Sequence, residues 1–256
     1  MESTNTAPLI ELFSAIQGEG ANVGTRQLFI RFAGCDLRCR YCDSAHTWHP
    51  PRQCQIELTP GERDFISVPN PVTLEQLLTW CDRQNHPGLH DSISLTGGEP
   101  LLQAKFLSQL LPRLKQRTSL PLYLETGGHH PDALPPLLPY LDSIGMDIKL
   151  PSVSGECHWS AHRTFLELCH QAKVDVFCKV IISHATSDRD REQLRSLIAA
   201  IDPHIPIFLQ PVTPIGTGRH TLPPDPGQVL LWQAALKEHL RIVRVIPQTH
   251  KFIQQR

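Results

Sequence analysis

Short runs of β-branched and aromatic residues alternate along the chain with longer segments whose apolar positions recur at helical spacing. Strands are predicted at Gln27–Phe32, Ser92–Leu95, Leu122–Glu125, Ile144–Ile148, Asp175–Ile182, Ile207–Leu209 and Ile242–Val245. Helices are predicted over Thr73–Arg83, Leu101–Gln116, Ala161–Ala172, Arg189–Ile201 and Gly227–Leu240. Thr73 with Gln76 reads as a capping box. Pro112 predicts a kink or break, because proline lacks the amide that the helical ladder needs. Such alternation implies a largely parallel sheet with helices outside it. Polar residues gather at strand ends: Cys35 after the first strand, Thr96–Pro100 after the second, and Glu125–Gly127 at the third. Asp147 and Lys149 end the fourth strand, Lys179 lies on the fifth, and Gln210-Pro211 ends the sixth. An open sheet concentrates ligands at one switch point, whereas a barrel draws many strand ends to one mouth. The expected fold class is therefore α/β, a partial (β/α) TIM-like barrel, forming a single domain over 1–256.

Proline is frequent, with 23 residues, and it concentrates in Trp48–Pro71 and Pro211–Pro226. Both stretches read as loops, the first as an insertion over about 48–71. Charge excludes some partners. Lys plus Arg total 24 and Asp plus Glu 25, with no polybasic arm, so no nucleic acid partner is expected. No apolar run approaches the roughly 18 residues of a membrane span, so no membrane association is expected. Met1–Ala7 lacks the basic and apolar regions of a signal peptide, and a cytoplasmic location is the expectation.

Eight cysteines are too few for a disulfide framework, but three of them fall within eight residues. Cys35, Cys39 and Cys42 form a C-x3-C-x2-C run in one loop. Three thiolates can hold three irons of a [4Fe–4S] cube and leave the fourth iron open. The same loop also suits a Cys3His zinc site, with His46 or His49 as fourth ligand. Cys54 could complete a four-cysteine set, at the cost of the open iron.

The cysteine run with Tyr41 before its last member, followed by Thr96-Gly97-Gly98-Glu99-Pro100, resembles the motifs of radical S-adenosylmethionine enzymes. Within that superfamily the chain resembles the 7-carboxy-7-deazaguanine synthases of the queuosine and 7-deazapurine pathway. The stretches that carry the resemblance are Phe13–Gly20, Arg31–Cys35, Cys42–Ser44, Thr96–Pro100, Glu125–Gly127 and Pro247–Lys251. The resemblance implies a [4Fe–4S] cluster on Cys35, Cys39 and Cys42. It implies S-adenosylmethionine held by Tyr41, Cys42, Asp43, Gly98, Glu99, Asp147, Ile148 and Lys149. Asp147 and Ile148 depart from the family's Ser-Pro-Lys run, in which only Lys149 matches. Gly97 and Gly98 would let backbone approach the methionine moiety, and Glu99 would accept a hydrogen bond from its amino group.

The implied substrate is 6-carboxy-5,6,7,8-tetrahydropterin, held by Ile16, Gln17, Gly18, Arg31 and Thr96. Arg31 suits its carboxylate by the fork geometry of guanidinium. The resemblance further implies Mg2+ at Ser44, an electron donor such as flavodoxin or ferredoxin, and a homodimer. His250 and Lys251 would close the mouth beside the substrate. A glycyl-radical activating enzyme shares the cysteine run and the Gly-Gly-Glu-Pro motif, but the Gln17–Gly20 loop and Ser44 favour a small-molecule enzyme. A zinc-stabilised binding module is the non-catalytic alternative.

Overall fold

The computed structural model describes residues 5–214 and 221–255; residues 215–220, within the predicted Pro211–Pro226 loop, lie outside it. The strands are β1 (Thr6–Ala7), β2 (Leu9–Ile16), β3 (Arg26–Phe32), β4 (Gln53–Glu57), β5 (Phe65–Pro69), β6 (Val72–Thr73), β7 (Ser92–Gly97), β8 (Leu122–Thr126), β9 (Ser143–Ile148), β10 (Asp175–Ile182), β11 (Ile207–Pro211) and β12 (Val243–Val245). The α-helices are α1 (Leu74–Gln84), α2 (Ala104–Arg117), α3 (Pro151–Ser154), α4 (Trp159–Ala172), α5 (Asp188–Ile201), α6 (Pro226–Lys237) and α7 (Thr249–Phe252).

Ten strands form one sheet in the order β12-β11-β10-β9-β8-β7-β3-β2-β4-β5, and β1 pairs with β6 separately. Strands β3 and β7 to β12 run parallel. The two ends of this order remain unpaired with each other, so the barrel is partial. Helices α1 and α2 pack together on the outside, as do α4 with α5 and α5 with α6.

Local signals explain where the elements start and stop. Thr73 caps α1 through the expected capping box with Gln76. Ser187 caps α5 by accepting from the Asp190 amide. A short 3-10 turn over Pro100–Gln103 precedes α2, which then runs uninterrupted through Pro112. The break expected there is absent, although Pro112 leaves the Ser108 carbonyl without its helical amide.

Two further expectations are corrected. The 48–71 stretch is not only loop: β4 and β5 form an antiparallel pair that extends the sheet beyond β2. Proline tolerates that position because Pro69 sits on an edge strand. Leu9–Ile16, not read as a strand from its pattern, pairs antiparallel with β3 along nearly its whole length. It is buried on both faces, so it lacks the polar alternation that marks a half-exposed strand.

The inner face of the sheet is layered with the two-residue period of strands. Tyr123, Phe177 and Phe208 plug the bottom, with ring centroids 6.0 Å apart for Tyr123–Phe177 and 5.3 Å for Phe177–Phe208. Gly145 supplies the space for them: a Cβ there would lie 2.3 Å from the Tyr123 hydroxyl. Two residues further along the same strands stand Glu125, Asp147, Lys179 and Gln210. Gly127, Lys149, Ile181 and Val212 come two residues later again. Both upper layers line one cavity.

Candidate active site

The cavity has a volume of about 720 Å³ and opens at the C-terminal ends of the parallel strands. All three clustered cysteines line it, together with Ile16, Gln17, Gly18, Arg31 and Thr96. Tyr41, Asp43, Ser44, Gly98, Glu99, Asp147 and Lys149 line it too. Ile148 does not: it is fully buried in the core outside the barrel, as its odd register between Asp147 and Lys149 requires. Cys54, on β4, is buried in the core away from the cavity.

The cysteine loop is tied to the barrel by backbone. The Gly34 carbonyl accepts from the Glu99 amide at 2.8 Å, and the Phe32 carbonyl accepts from the Gly98 amide at 3.2 Å. A Cβ on Gly98 would lie 2.2 Å from the Gly34 oxygen, and one on Gly97 (φ +137°) 2.1 Å from the Phe32 oxygen. These glycines are required by the approach of the second loop to the first, whatever else they admit.

Glu99 is buried with both oxygens engaged. Oε1 accepts from Thr126 Oγ1 at 2.7 Å and the Leu101 amide at 3.0 Å; Oε2 accepts from the Gly127 amide at 2.8 Å. It therefore clamps the β7 and β8 ends together, with capacity left on one oxygen. The Gly127 carbonyl in turn accepts from His162 Nε2 at 3.0 Å. Burial and the nearby Lys149 charge push His162 down to about 3, so this imidazole is neutral and carries its proton on Nε2.

A buried charge network crosses the floor. Lys179 Nζ contacts Glu19, and lies 3.1 Å from Glu125 and 3.5 Å from Asp147. Lys149 Nζ lies 3.1 Å from Asp147 and sits over the Tyr41 ring at 5.7 Å. Burial alone would depress both ammonium groups; the surrounding carboxylates prevail and raise them well above the usual lysine range. Burial likewise opposes ionisation of Glu19, yet the Lys179 charge and hydrogen bonds from Lys179 and Gln248 hold it at about 2. Thr96 Oγ1 donates to Glu125 at 3.1 Å. Arg31 Nε donates to Glu11 at 2.9 Å and its guanidinium lies over Phe13 at 5.4 Å, which presents a fixed cation to the cavity.

The C-terminal segment closes the mouth. The Thr249 amide donates to the Gly18 carbonyl at 2.9 Å, and His250 packs so tightly on Gly18 that a Cβ there would lie 2.2 Å from its Nδ1. Lys251 Nζ lies 2.7 Å from Asp43, whose other oxygen accepts from Ser44 Oγ at 3.0 Å. Asp43 is held at about 2, because hydrogen bonds from Lys251, Gln248 and Ser44 outweigh its burial.

The donors suit the implied groups. Burial pushes the Cys35 thiol up and Cys39 to about 11, so both stay protonated until a metal takes the sulfur. The three sulfurs do not all lie within 4.8 Å of one another, whereas sulfurs on one tetrahedral zinc stand about 3.8 Å apart. That spread fits a cube better than a single ion. Asp147 Oδ1 and Gln210 Oε1 are buried acceptors without a partner, both on residues lining the cavity, and each can take a donor from a bound molecule. Ser44 offers one hard oxygen; Mg2+ commonly completes its shell with waters and substrate oxygens.

Several cavity residues had escaped the sequence reading. Glu11 and Gln55 come from strands not predicted as such, so no strand end pointed to them. Glu19 stood inside a quoted motif, but its partnership with Lys179, 160 residues away, carries no local signal.

Residues 29–198 match the radical SAM superfamily model. A 7-carboxy-7-deazaguanine synthase of Geobacter sulfurreducens is 44% identical over 252 residues, 97% of this chain and 98% of that protein. A 7-carboxy-7-deazaguanine synthase of Thermococcus kodakarensis is 32% identical, covering 81% and 84% of the two chains. Among solved structures, QueE from Escherichia coli superposes with a TM-score of 0.62 at 22% identity, covering 95% of this chain and 94% of its own.

Proposed function

The chain belongs to the radical S-adenosylmethionine superfamily and, within it, to the 7-carboxy-7-deazaguanine synthases, and on that premise we propose how its cavity performs the reaction. It is a radical S-adenosylmethionine lyase of 7-deazapurine biosynthesis. The substrate we assign is 6-carboxy-5,6,7,8-tetrahydropterin, converted to 7-carboxy-7-deazaguanine with loss of ammonia.

Cys35, Cys39 and Cys42 would hold the [4Fe–4S] cluster. Asp43, Gly98, Asp147 and Lys149, which line the same cavity as Arg31, would hold S-adenosylmethionine. When bound, cluster and S-adenosylmethionine supply an electron and a carbon radical able to take hydrogen from C6 of the substrate. The protein's part is to orient and shield. Arg31, already fixed by Glu11, pairs with the substrate carboxylate. Gln17 and Thr96 read the polar edge of the pterin ring, and Ser44 contributes to Mg2+ beside the carboxylate. Gln248, His250 and Lys251, latched onto Gly18 and Asp43, keep water from the mouth. Lys179 pairs with Glu19 and Glu125 at the floor and holds Glu19 ionised. A small redox protein such as flavodoxin or ferredoxin would supply the electron, and a homodimer is the assembly we assign.

The convergence of the three thiols and Arg31 on one cavity carries this reading. The test is an anaerobic incubation of the reconstituted enzyme with S-adenosylmethionine, reductant, Mg2+ and the carboxypterin. Mass spectrometry should find 7-carboxy-7-deazaguanine. Formation of 5′-deoxyadenosine without it would overturn the substrate assignment and leave the radical chemistry standing.

A further inference from the structure

Outside the cavity, behind the cysteine loop, a second group of ligand-type side chains converges. We propose that Asp36, His129 and His130 form a second metal site, suited to a borderline divalent cation of the zinc class. His129 Nε2 lies 2.9 Å from one Asp36 oxygen and His130 Nε2 lies 2.9 Å from the other. The three ligand atoms lie within 4.8 Å of one another, the one such set of three among the described residues.

The convergence is built into the backbone. Consecutive side chains of an extended segment point to opposite sides. Here Gly128, at φ +66°, and His130, at φ −117° and ψ 63°, turn the chain so that both imidazoles meet the same carboxylate. Their rings stand 4.2 Å apart, and a third imidazole, His158, packs 5.2 Å from His129. His129 is 3% exposed and cannot swing away, while Asp36 and His130, at 43% and 31%, remain open to an entering ion.

Two imidazoles and a carboxylate match the preference of zinc and its neighbours rather than magnesium or calcium, which favour all-oxygen shells. Zinc bonds of about 2.0–2.2 Å need these donors to separate by roughly half an ångström, a shift within reach of the exposed pair. Asp36 adjoins Cys35, whereas the histidines follow the β8 end that Glu99 clamps. A bound ion would cross-link these two loops and brace the cluster loop from outside.

The test is calorimetric titration of Zn2+ into the cluster-loaded enzyme without oxygen, with iron assayed before and after. The expected result is one saturable zinc per chain with iron unchanged. His130→Ala and Asp36→Asn should each weaken it at least about tenfold, and His49→Ala, on exposed loop, should leave it intact. Zinc absorption spectroscopy should find nitrogen and oxygen neighbours without sulfur. If Asp36→Asn disturbs the loop beside Cys35, His130→Ala decides the matter. Absence of saturable binding, binding unchanged in His130→Ala, or sulfur neighbours with loss of iron would each overturn the proposal and leave a hydrogen-bonded clamp only.

Discussion

The ammonium group of Lys179 lies 3.1 Å from the carboxylate of Glu125, on a cavity floor where neither meets bulk water freely. Around it also stand Glu19 and Asp147, so one lysine from β10 neutralises carboxylates from three other parts of the chain. A buried ion network of this kind is stable while complete and costly when one partner is removed.

Replacing that cation should therefore expose the repulsion it suppresses. Lys179→Met is expected to destabilise the fold by about 3–5 kcal/mol near neutral pH, with Lys179→Arg recovering part of the loss. Thermal unfolding measures both.

The pH dependence follows from the depressed carboxylates. Glu19 and Asp43 are each held at about 2 in the fold, below their ordinary values of 4.5 and 3.8. A lowered carboxylate stabilises the fold above its unfolded value and loses that contribution as pH falls. Wild-type stability should thus decline between about pH 4.5 and about pH 2. In Lys179→Met the curve should start lower and be flatter across that window, because protonation then relieves repulsion. Parallel curves would contradict the network.

Cluster loading should depend on the three cavity cysteines alone. Cys39→Ala should abolish the brown colour and S-adenosylmethionine cleavage, whereas Cys54→Ala should keep both. Cys54 is packed among β-sheet core residues and does not reach the cavity. Iron and sulfide analysis of the reconstituted variants checks this.

Arg31 should act on substrate and not on cofactor. Losing a charge-assisted contact of about 1.5–3 kcal/mol should raise KM for the carboxypterin by about ten- to a hundredfold in Arg31→Met. S-adenosylmethionine binding should be unchanged, since the charge removed is the one assigned to the substrate carboxylate. Equal loss of both would show a structural role through Glu11.

The latch at the mouth gives a steric test. Gly18→Ala places a Cβ within 2.4 Å of the His250 backbone nitrogen, which cannot step aside as a flexible side chain can. The C-terminal segment should detach, raising KM and admitting protease near Gln248, with the cluster intact.

Much of this arrangement is legible in sequence because it is local. The cysteine run, the Gly-Gly-Glu-Pro turn and the capping box at Thr73 each declare themselves within a few residues. Strand periodicity also places Asp147 and Lys149 on one face and so sends Ile148 to the other, although the motif resemblance groups all three. What stays hidden is non-local. Leu9–Ile16 and Gln53–Glu57 are paired β-strands; burial erases alternation in the first, and flanking prolines at 50, 51 and 60 disguise the second. The meeting of Lys179 with Glu19, and of Asp36 with two histidines nearly a hundred residues away, exists only once the barrel forms.

The most direct measurement is isotope transfer. The conversion is redox-neutral, so hydrogen taken from C6 must be returned through the adenosyl group. With deuterium at C6 of 6-carboxytetrahydropterin, the label should appear at the adenosyl 5′ carbon, in 5′-deoxyadenosine or in recovered S-adenosylmethionine, while 7-carboxy-7-deazaguanine and ammonia are released. Product formation with no deuterium at the adenosyl 5′ carbon, or deuterium transfer with no deazaguanine formed, would contradict the account.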